Sequence, residues 1–363
     1  MKALVTYASA GAGHRRAAEA IYEYLKTNRQ DLALELVDIV PLTDGFFRFC
    51  YHFGYEFLVH FAPWLWAFFF WTTESRLTRG ISRKSAIIIN YFSCRKFRKY
   101  LVAADFDYII STHFLNSELA ANLKIKNKIK AQLVTVVTDF GVHPFWVALG
   151  TDTYIVASNQ TKDKLLNLGV AAEKIIVSGI PVSANFLKPQ NRGQLAIKFG
   201  LKAGKFTVLV MTGSFGAGPL EAIAKSLCDE AQVLVVCAKN KVLFKRLEKL
   251  NLKNVKVFGF INNAEELMAV SDLMITKPGG SSITELLVMG IVPLFISAIP
   301  GQEEDNIKVL ATYGLGFNPK NIKALKNLVL DFKNNPQKLQ ALKQNIKQVA
   351  KPLACQELAD VIR

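Results

Sequence analysis

Several things are missing from this chain, and each absence narrows the reading. Its five cysteines, Cys50, Cys94, Cys228, Cys237 and Cys355, are scattered without metal-ligand spacing, and an odd number argues against a complete disulfide framework. A reducing compartment fits that pattern. Met1-Lys-Ala-Leu4 runs directly into a strand pattern, with no charged segment ahead of an apolar one and no cleavage site, so a cytoplasmic protein without a signal peptide is expected. No acidic residue occurs between positions 75 and 104, where Arg76, Arg79, Arg83, Lys84, Arg95, Lys96, Arg98 and Lys99 collect. The net charge of +16 and pI near 9.5 would suit nucleic acid. No recognition helix, zinc finger or RNA-binding aromatic motif accompanies that charge, so no nucleic-acid partner is expected. The Lys124-Ile-Lys-Asn-Lys-Ile-Lys130 cluster reads as a solvated turn.

What is present alternates between strand and helix patterns throughout, and 363 residues suggest two domains. Periodicity lapses at Phe186-Leu-Lys-Pro-Gln-Asn-Arg-Gly193, where turn formers cluster, so the boundary is placed between residues 187 and 188. The expected class is α/β, with a Rossmann-like domain over 1–187 and a second over 188–363.

Three glycine-rich turns each follow a strand pattern and open a helix. Leu273–Thr276 reads as a buried parallel strand, Pro278-Gly-Gly280 breaks it, and Ser281-Ser282 are suited to cap a helix through Leu287. Backbone N–H groups and the dipole at such a helix start favour phosphate without a metal. Glu285 lies one turn in, where a carboxylate can hold ribose hydroxyls, as acidic residues do in other nucleotide folds; the competing reading is a solvated side chain on an ordinary crossover helix. Phe206–Met211 is followed by Thr212-Gly-Ser-Phe-Gly-Ala-Gly-Pro219, with Pro219 expected at the first helical position. Its glycines, Gly213, Gly216 and Gly218, match neither a strict dinucleotide fingerprint nor a P-loop. At the start of the chain, Leu4-Val-Thr-Tyr7 leads through Ala8–Gly13 to His14, which stands at a strand-to-helix switch. Ligands of open α/β sheets bind outside the carboxyl ends of strands, so this imidazole suits general-base work; a hydrogen-bonding surface histidine is the alternative.

Phe46 to Trp71 carries a dense aromatic load that includes Phe61, Trp64, Trp66 and Trp71. Arg48, His52, Glu56 and His60 interrupt it, leaving an uncharged block too short for the roughly 20 residues a transmembrane helix requires. Aromatics followed by basic residues, among them Arg79, Arg83 and Lys84, predict a monotopic anchor on anionic lipid. An aromatic core helix beside a solvated basic face is the other reading.

Taken together, Ser9-Ala-Gly-Ala-Gly-His14 with Ala17–Ile21, Val137-Thr-Asp-Phe-Gly-Val-His143 with Trp146, Gly179-Ile-Pro181, the Gly213–Pro219 turn, Thr276–Glu285 and Pro300-Gly-Gln-Glu-Glu-Asp-Asn306 resemble the monogalactosyldiacylglycerol synthases and processive diacylglycerol glucosyltransferases of glycosyltransferase family 28. The matching segments run in the same order from residue 4 to about residue 310, and no motif follows Tyr313. The resemblance implies a GT-B fold, with two Rossmann-like domains facing each other across a cleft. The last helix of that fold often crosses back to the N-terminal half, so residues 337–362, although counted with the second domain, are not expected to belong cleanly to either half. Two departures from the family pattern are Ala12, where a third glycine is usual, and Thr212 with Ser214 in place of further glycines.

The implied reaction moves glucose or galactose from its UDP conjugate to the hydroxyl of diacylglycerol, with inversion, at the cytoplasmic face of the membrane. His14 is the expected base, with Asp139 as competitor or orienting partner. Gly213, Gly216, Gly218, Gly279, Gly280 and Ser281 are implied for the diphosphate, Glu285 for ribose, Phe260 for the border of the uracil pocket, and Gln302, Glu303 and Asn306 for sugar hydroxyls. No cofactor or required metal is expected, and Asp105-Phe-Asp107 matches the metal-binding string of a different transferase fold only incidentally. Alternatives are a UDP-N-acetylglucosamine transferase acting on a polyprenyl-linked cell-wall precursor, a UDP-sugar 2-epimerase, and a nucleotide-sugar-binding protein without catalysis.

Overall fold

The computed structural model describes residues 1–9, 11–54, 62–74 and 79–363. It divides into two compact units. Unit 1 comprises Met1–Ser183, Ile299–Asn306 and Lys351–Arg363, and unit 2 comprises Ala184–Ala298 and Ile307–Ala350.

Unit 1 is built on an all-parallel sheet of β1 (Lys2–Tyr7), β2 (Ala33–Asp38), β3 (Tyr108–Ser111), β4 (Gln132–Val136), β5 (Thr153–Ile155) and β6 (Ile175–Ile176), in the order β2-β1-β3-β4-β5-β6. Leu4 pairs with Ile109 and Val5 with Ile110, so apolar residues on both faces of the central strands are sealed by helices. Leu4, Phe97, Leu101, Ile109 and Leu119 fill one side. Val5, Ile21, Leu25 and Ile110 fill the other, closed by Leu358 and Ile362 of the C-terminal segment. Asp107 accepts the Lys2 amide at 2.7 Å, and Asp105 ends its helix at φ 47°, so the two carboxylates serve separate local purposes.

Unit 2 repeats the plan with β7 (Thr207–Met211), β8 (Gln232–Val236), β9 (Val255–Phe258), β10 (Leu273–Thr276) and β11 (Val292–Phe295), in the order β11-β10-β7-β8-β9. β7, β8, β10 and β11 are buried along their whole lengths, which explains their continuous apolar sequences.

In both sheets the chain reverses beside the first strand of the unit. β2 lies on one side of β1 and β3 on the other; β8 lies on one side of β7 and β10 on the other. Each reversal opens a crevice at the carboxyl ends of the adjacent strands, where α/β sheets receive ligands.

Some local expectations shift. The helix after β10 spans Gly280–Val288 with Gly279 at its N-cap and no side-chain cap, so Ser281 and Ser282 lie inside the first turn rather than capping it. Gly279 has the extended backbone an N-cap requires, which moves the start forward. Pro219 is itself an N-cap, one position before the helix Leu220–Leu227. The units divide between Ser183 and Ala184, and the stretch read as linker, residues 186–193, takes in the end of a short turn, Ala184–Leu187, and the start of the helix Arg192–Lys198, capped by Asn191.

Candidate active site

Unit 1 gathers its titratable groups at the β1/β3 crevice. His14 lies in the first turn of the helix Ala12–Asn28 that follows β1, while Thr112 and His113 follow β3 and Thr138-Asp139 follow β4. His14 Nδ1 is 2.8 Å from the Thr112 carbonyl and 2.8 Å from Thr138 Oγ1. A carbonyl only accepts, so Nδ1 carries the proton and Nε2 keeps the basic lone pair. The rings of His113 and Trp146 wall the imidazole at 4.5 and 6.1 Å between centroids. His14, half-buried in the first turn of its helix, has its pKa pushed below the ordinary imidazole value, chiefly by desolvation; the Asp139 charge and the Thr112 carbonyl oppose that shift. The lowered pKa favours the neutral imidazole, the form a base requires.

His113 is fixed by different partners. Its Nδ1 accepts the Leu115 amide at 3.1 Å, so the proton sits on Nε2, 2.9 Å from the Tyr51 hydroxyl. Burial and the neighbouring His14 keep its pKa well below the usual value. Sequence reading passed over Thr112 and His113, and took Tyr51 only as one ring of the Phe46–Trp71 aromatic stretch. The available signal was position, since Thr112-His113 ends β3 as Thr138-Asp139 ends β4.

Asp139 is also buried, and burial raises its pKa against the lowering effects of His14, Gln302 and Asn306. Gln302 Nε2 donates to one carboxylate oxygen at 3.0 Å and Asn306 Nδ2 to the other at 3.3 Å. Asn306 Oδ1 also accepts the amides of Phe140 and Gly141 at 2.8 and 2.9 Å. Gln302 and Asn306, expected beside sugar hydroxyls, are thus engaged within unit 1 by the carboxylate next to Thr138. Glu303 Oε2 accepts the Ile299 amide at 2.8 Å, closing the turn before its helix.

The β7/β10 crevice of unit 2 is shaped by backbone. Gly213, Gly216 and Gly218 all have positive φ. At Gly216 a Cβ would stand 2.2 Å from the Cys237 carbonyl oxygen with φ at 57°, so only glycine fits. Ala238 and Ser297, just beyond β8 and β11, are also held at φ 50° and 51°, strain of the kind that gathers at binding sites. The Lys239 ammonium lies 5.7 Å from the Phe215 ring centroid and brings positive charge to this turn, a residue the sequence reading missed. Gly279 and Gly280 begin the neighbouring helix, Ser281 follows them, and Glu285 is buried rather than solvated. Phe260, beyond β9, is exposed. The Thr212 hydroxyl is buried without a hydrogen-bond partner among the described residues.

Trp64, Phe68 and Trp71 share one face of the helix Pro63–Glu74 and are 72, 57 and 58% exposed, which excludes a core role for that face. Ile88, Ile89 and Phe92 are exposed on the helix Arg79–Ser93, as is Lys84. Phe61 lies outside the described residues, as do the side chains of Trp66, Arg79 and Arg83. Among the described residues no helix is long and apolar enough to cross a membrane, and no cluster of three or more His, Cys, Asp or Glu is suited to hold a metal ion.

Two parallel-sheet units with glycine turns at their switch points define the GT-B class. The fold matches that of Anabaena HepE solved with UDP-glucose, with a TM-score of 0.59 over 100% of this chain and 99% of that one, at 16% identity. Residues 14–182 match the family described as monogalactosyldiacylglycerol (MGDG) synthase, and residues 207–358 match the glycosyltransferase family 28 C-terminal domain. A probable monogalactosyldiacylglycerol synthase of Nicotiana tabacum is 30% identical over 97% of this chain and 68% of its own length. A processive diacylglycerol beta-glucosyltransferase of Bacillus pumilus is 33% identical over 58% of this chain, and that match spans 57% of the Bacillus protein. The chain belongs to glycosyltransferase family 28, in the group of the monogalactosyldiacylglycerol synthases.

Proposed function

We propose that this protein is an inverting glycosyltransferase that moves glucose or galactose from a UDP-sugar to the free hydroxyl of diacylglycerol at a membrane surface. The observation that carries the reading is the fixed tautomer of His14, whose Nδ1 proton is held by Thr112 and whose Nε2 is basic. As the acceptor oxygen attacks the anomeric carbon, its proton passes to Nε2 and the bond from that carbon to the UDP oxygen breaks. One displacement inverts the centre.

Unit 2 holds the donor in this reading. The Gly213–Gly218 turn and the start of the Gly280–Val288 helix present backbone N–H groups to the diphosphate, Lys239 adds positive potential as it departs, and Glu285 meets the ribose. Phe260 borders the base. The exposed faces carrying Trp64, Phe68, Trp71, Ile88, Ile89 and Phe92 rest in the headgroup region, with Lys84 toward anionic lipid. The protein is then peripheral, on the cytoplasmic face.

The test supplies UDP-glucose and UDP-galactose separately to the protein with anionic liposomes containing diacylglycerol. A β-hexosyl-diacylglycerol supports the proposal and names the sugar. Glycosylation only of a polyprenyl-linked acceptor, or interconversion of the UDP-sugar alone, would replace it with the cell-wall transferase or the epimerase.

A further inference from the structure

We propose that Asn306 is a positioning residue whose amide clamps the Thr138–Gly141 loop and thereby sets Thr138 and Asp139 against His14. The proposal rests on His14 being the base. It changes the task expected of the Pro300–Asn306 segment, at Asn306 and Gln302, from reading sugar hydroxyls to holding the catalytic framework.

The geometry leaves little of the Asn306 amide for a ligand. The residue is fully buried. Its oxygen accepts two consecutive backbone amides, Phe140 and Gly141, and its nitrogen donates to Asp139 Oδ1. The clamp therefore holds a loop from both its backbone and its carboxylate. Gln302 grips the second carboxylate oxygen, and Thr161 Oγ1 donates to the Phe140 carbonyl at 2.9 Å, so the Phe140–Gly141 stretch is tied on two sides. One residue before Asp139, the Thr138 hydroxyl reaches His14 Nδ1 at 2.8 Å. Any shift of the clamped loop is thus transmitted to the imidazole through a single residue.

A second, independent feature records the same close approach. A Cβ at Gly141 would stand 2.7 Å from Asp305 Cβ, so the loop and the helix turn carrying Asp305 and Asn306 meet only because residue 141 is glycine. Lys164 fixes that turn from outside through Asp305 at 2.9 Å. Satisfied buried amides of this kind rigidify a site because every alternative leaves a polar group unpaired.

Asn306→Asp separates the two halves of the clamp. It keeps an oxygen for the two backbone amides, removes the donor to Asp139 and sets a second carboxylate beside the first. Turnover is expected to fall about 10²-fold, with UDP affinity and the KM for the UDP-hexose within about threefold of wild type. In an Asp139→Asn background the same change should cost no more than about threefold, because its effect runs through Asp139. A raised KM at unchanged kcat, or losses that multiply in the double variant, would overturn the proposal in favour of direct sugar contact.

Amide hydrogen exchange judges the clamp without turnover. Asn306→Leu should speed exchange at Phe140 and Gly141 about tenfold or more, and unchanged protection there sinks the proposal. Should Asn306→Leu not fold, Gly141→Ala serves in its place, with the same acceleration expected. A wild type that makes no glycolipid defeats the functional reading and leaves the exchange measurement to decide on Asn306.

Discussion

The two switch-point crevices share a topology and differ in what lines them. That of unit 1 carries His14, His113, Thr138 and Asp139, side chains whose value lies in protonation and hydrogen bonding. That of unit 2 is framed by Gly213, Gly216 and Gly218 and by the strained Ala238 and Ser297, residues that matter for backbone path. A parallel sheet that reverses beside its first strand supplies the crevice in both cases. The sequence of the turns then places titratable side chains in one unit and glycine backbone in the other, the difference on which the proposed division into base and donor site rests.

Substitutions can break this comparison on either side. The largest effect is expected from His14→Ala, which removes the proposed base and should lower turnover about 10³-fold, within the range for general-base catalysis. Calorimetry should find UDP affinity unchanged. If turnover also survives, His14 leaves the mechanism.

Gly216→Ala is the mirror experiment. It forces a Cβ against the Cys237 carbonyl oxygen at positive φ, with about 1–3 kcal/mol of strain, equivalent to about five- to a hundred-and-fiftyfold in Kd for UDP. The protonation of His14, followed by NMR, should stay as in wild type. A variant that binds UDP normally would show that this turn is not the anion site.

Changing Trp64, Phe68 and Trp71 together to serine should weaken vesicle binding about tenfold or more, since even about 1.5 kcal/mol, the burial of a single large apolar side chain, corresponds to about tenfold. Activity on a water-dispersed short-chain acceptor should hold. Equal losses on both acceptors would mean that the aromatic face supports the fold rather than the membrane contact.

Thr138→Val is expected to be mild, about three- to tenfold in turnover, because the Thr112 carbonyl still fixes the tautomer. The smallest effect is in the pH profile. Burial lowers the His14 pKa, so the neutral base persists as pH falls and is lost only below the ordinary value of about 6.5. The acid limb of turnover should therefore lie below pH 6.5, and a limb above that value would contradict a depressed base.

The alternation of buried strands with helices, the glycine turns and the placement of His14 at a strand end were legible in the sequence because they are local. Apolar runs such as Val208–Val210 announce buried strands, and glycines announce turns wherever they fall. Asp139 was legible for the same reason. Its partners were not, since Gln302 and Asn306 lie more than 160 residues away and read locally as polar groups for a ligand.

The sequence alone determined the α/β class and the family, as well as the interrupted aromatic stretch that is too short to span a bilayer. Only the tertiary structure decided which nitrogen of His14 is basic, that Tyr51 reaches His113, that Glu285 is buried and that Asn306 is bonded to the Phe140–Gly141 backbone. Tautomer, burial and hydrogen-bond partner depend on atoms brought together from distant parts of the chain, and no spacing rule along the sequence encodes which of them meet.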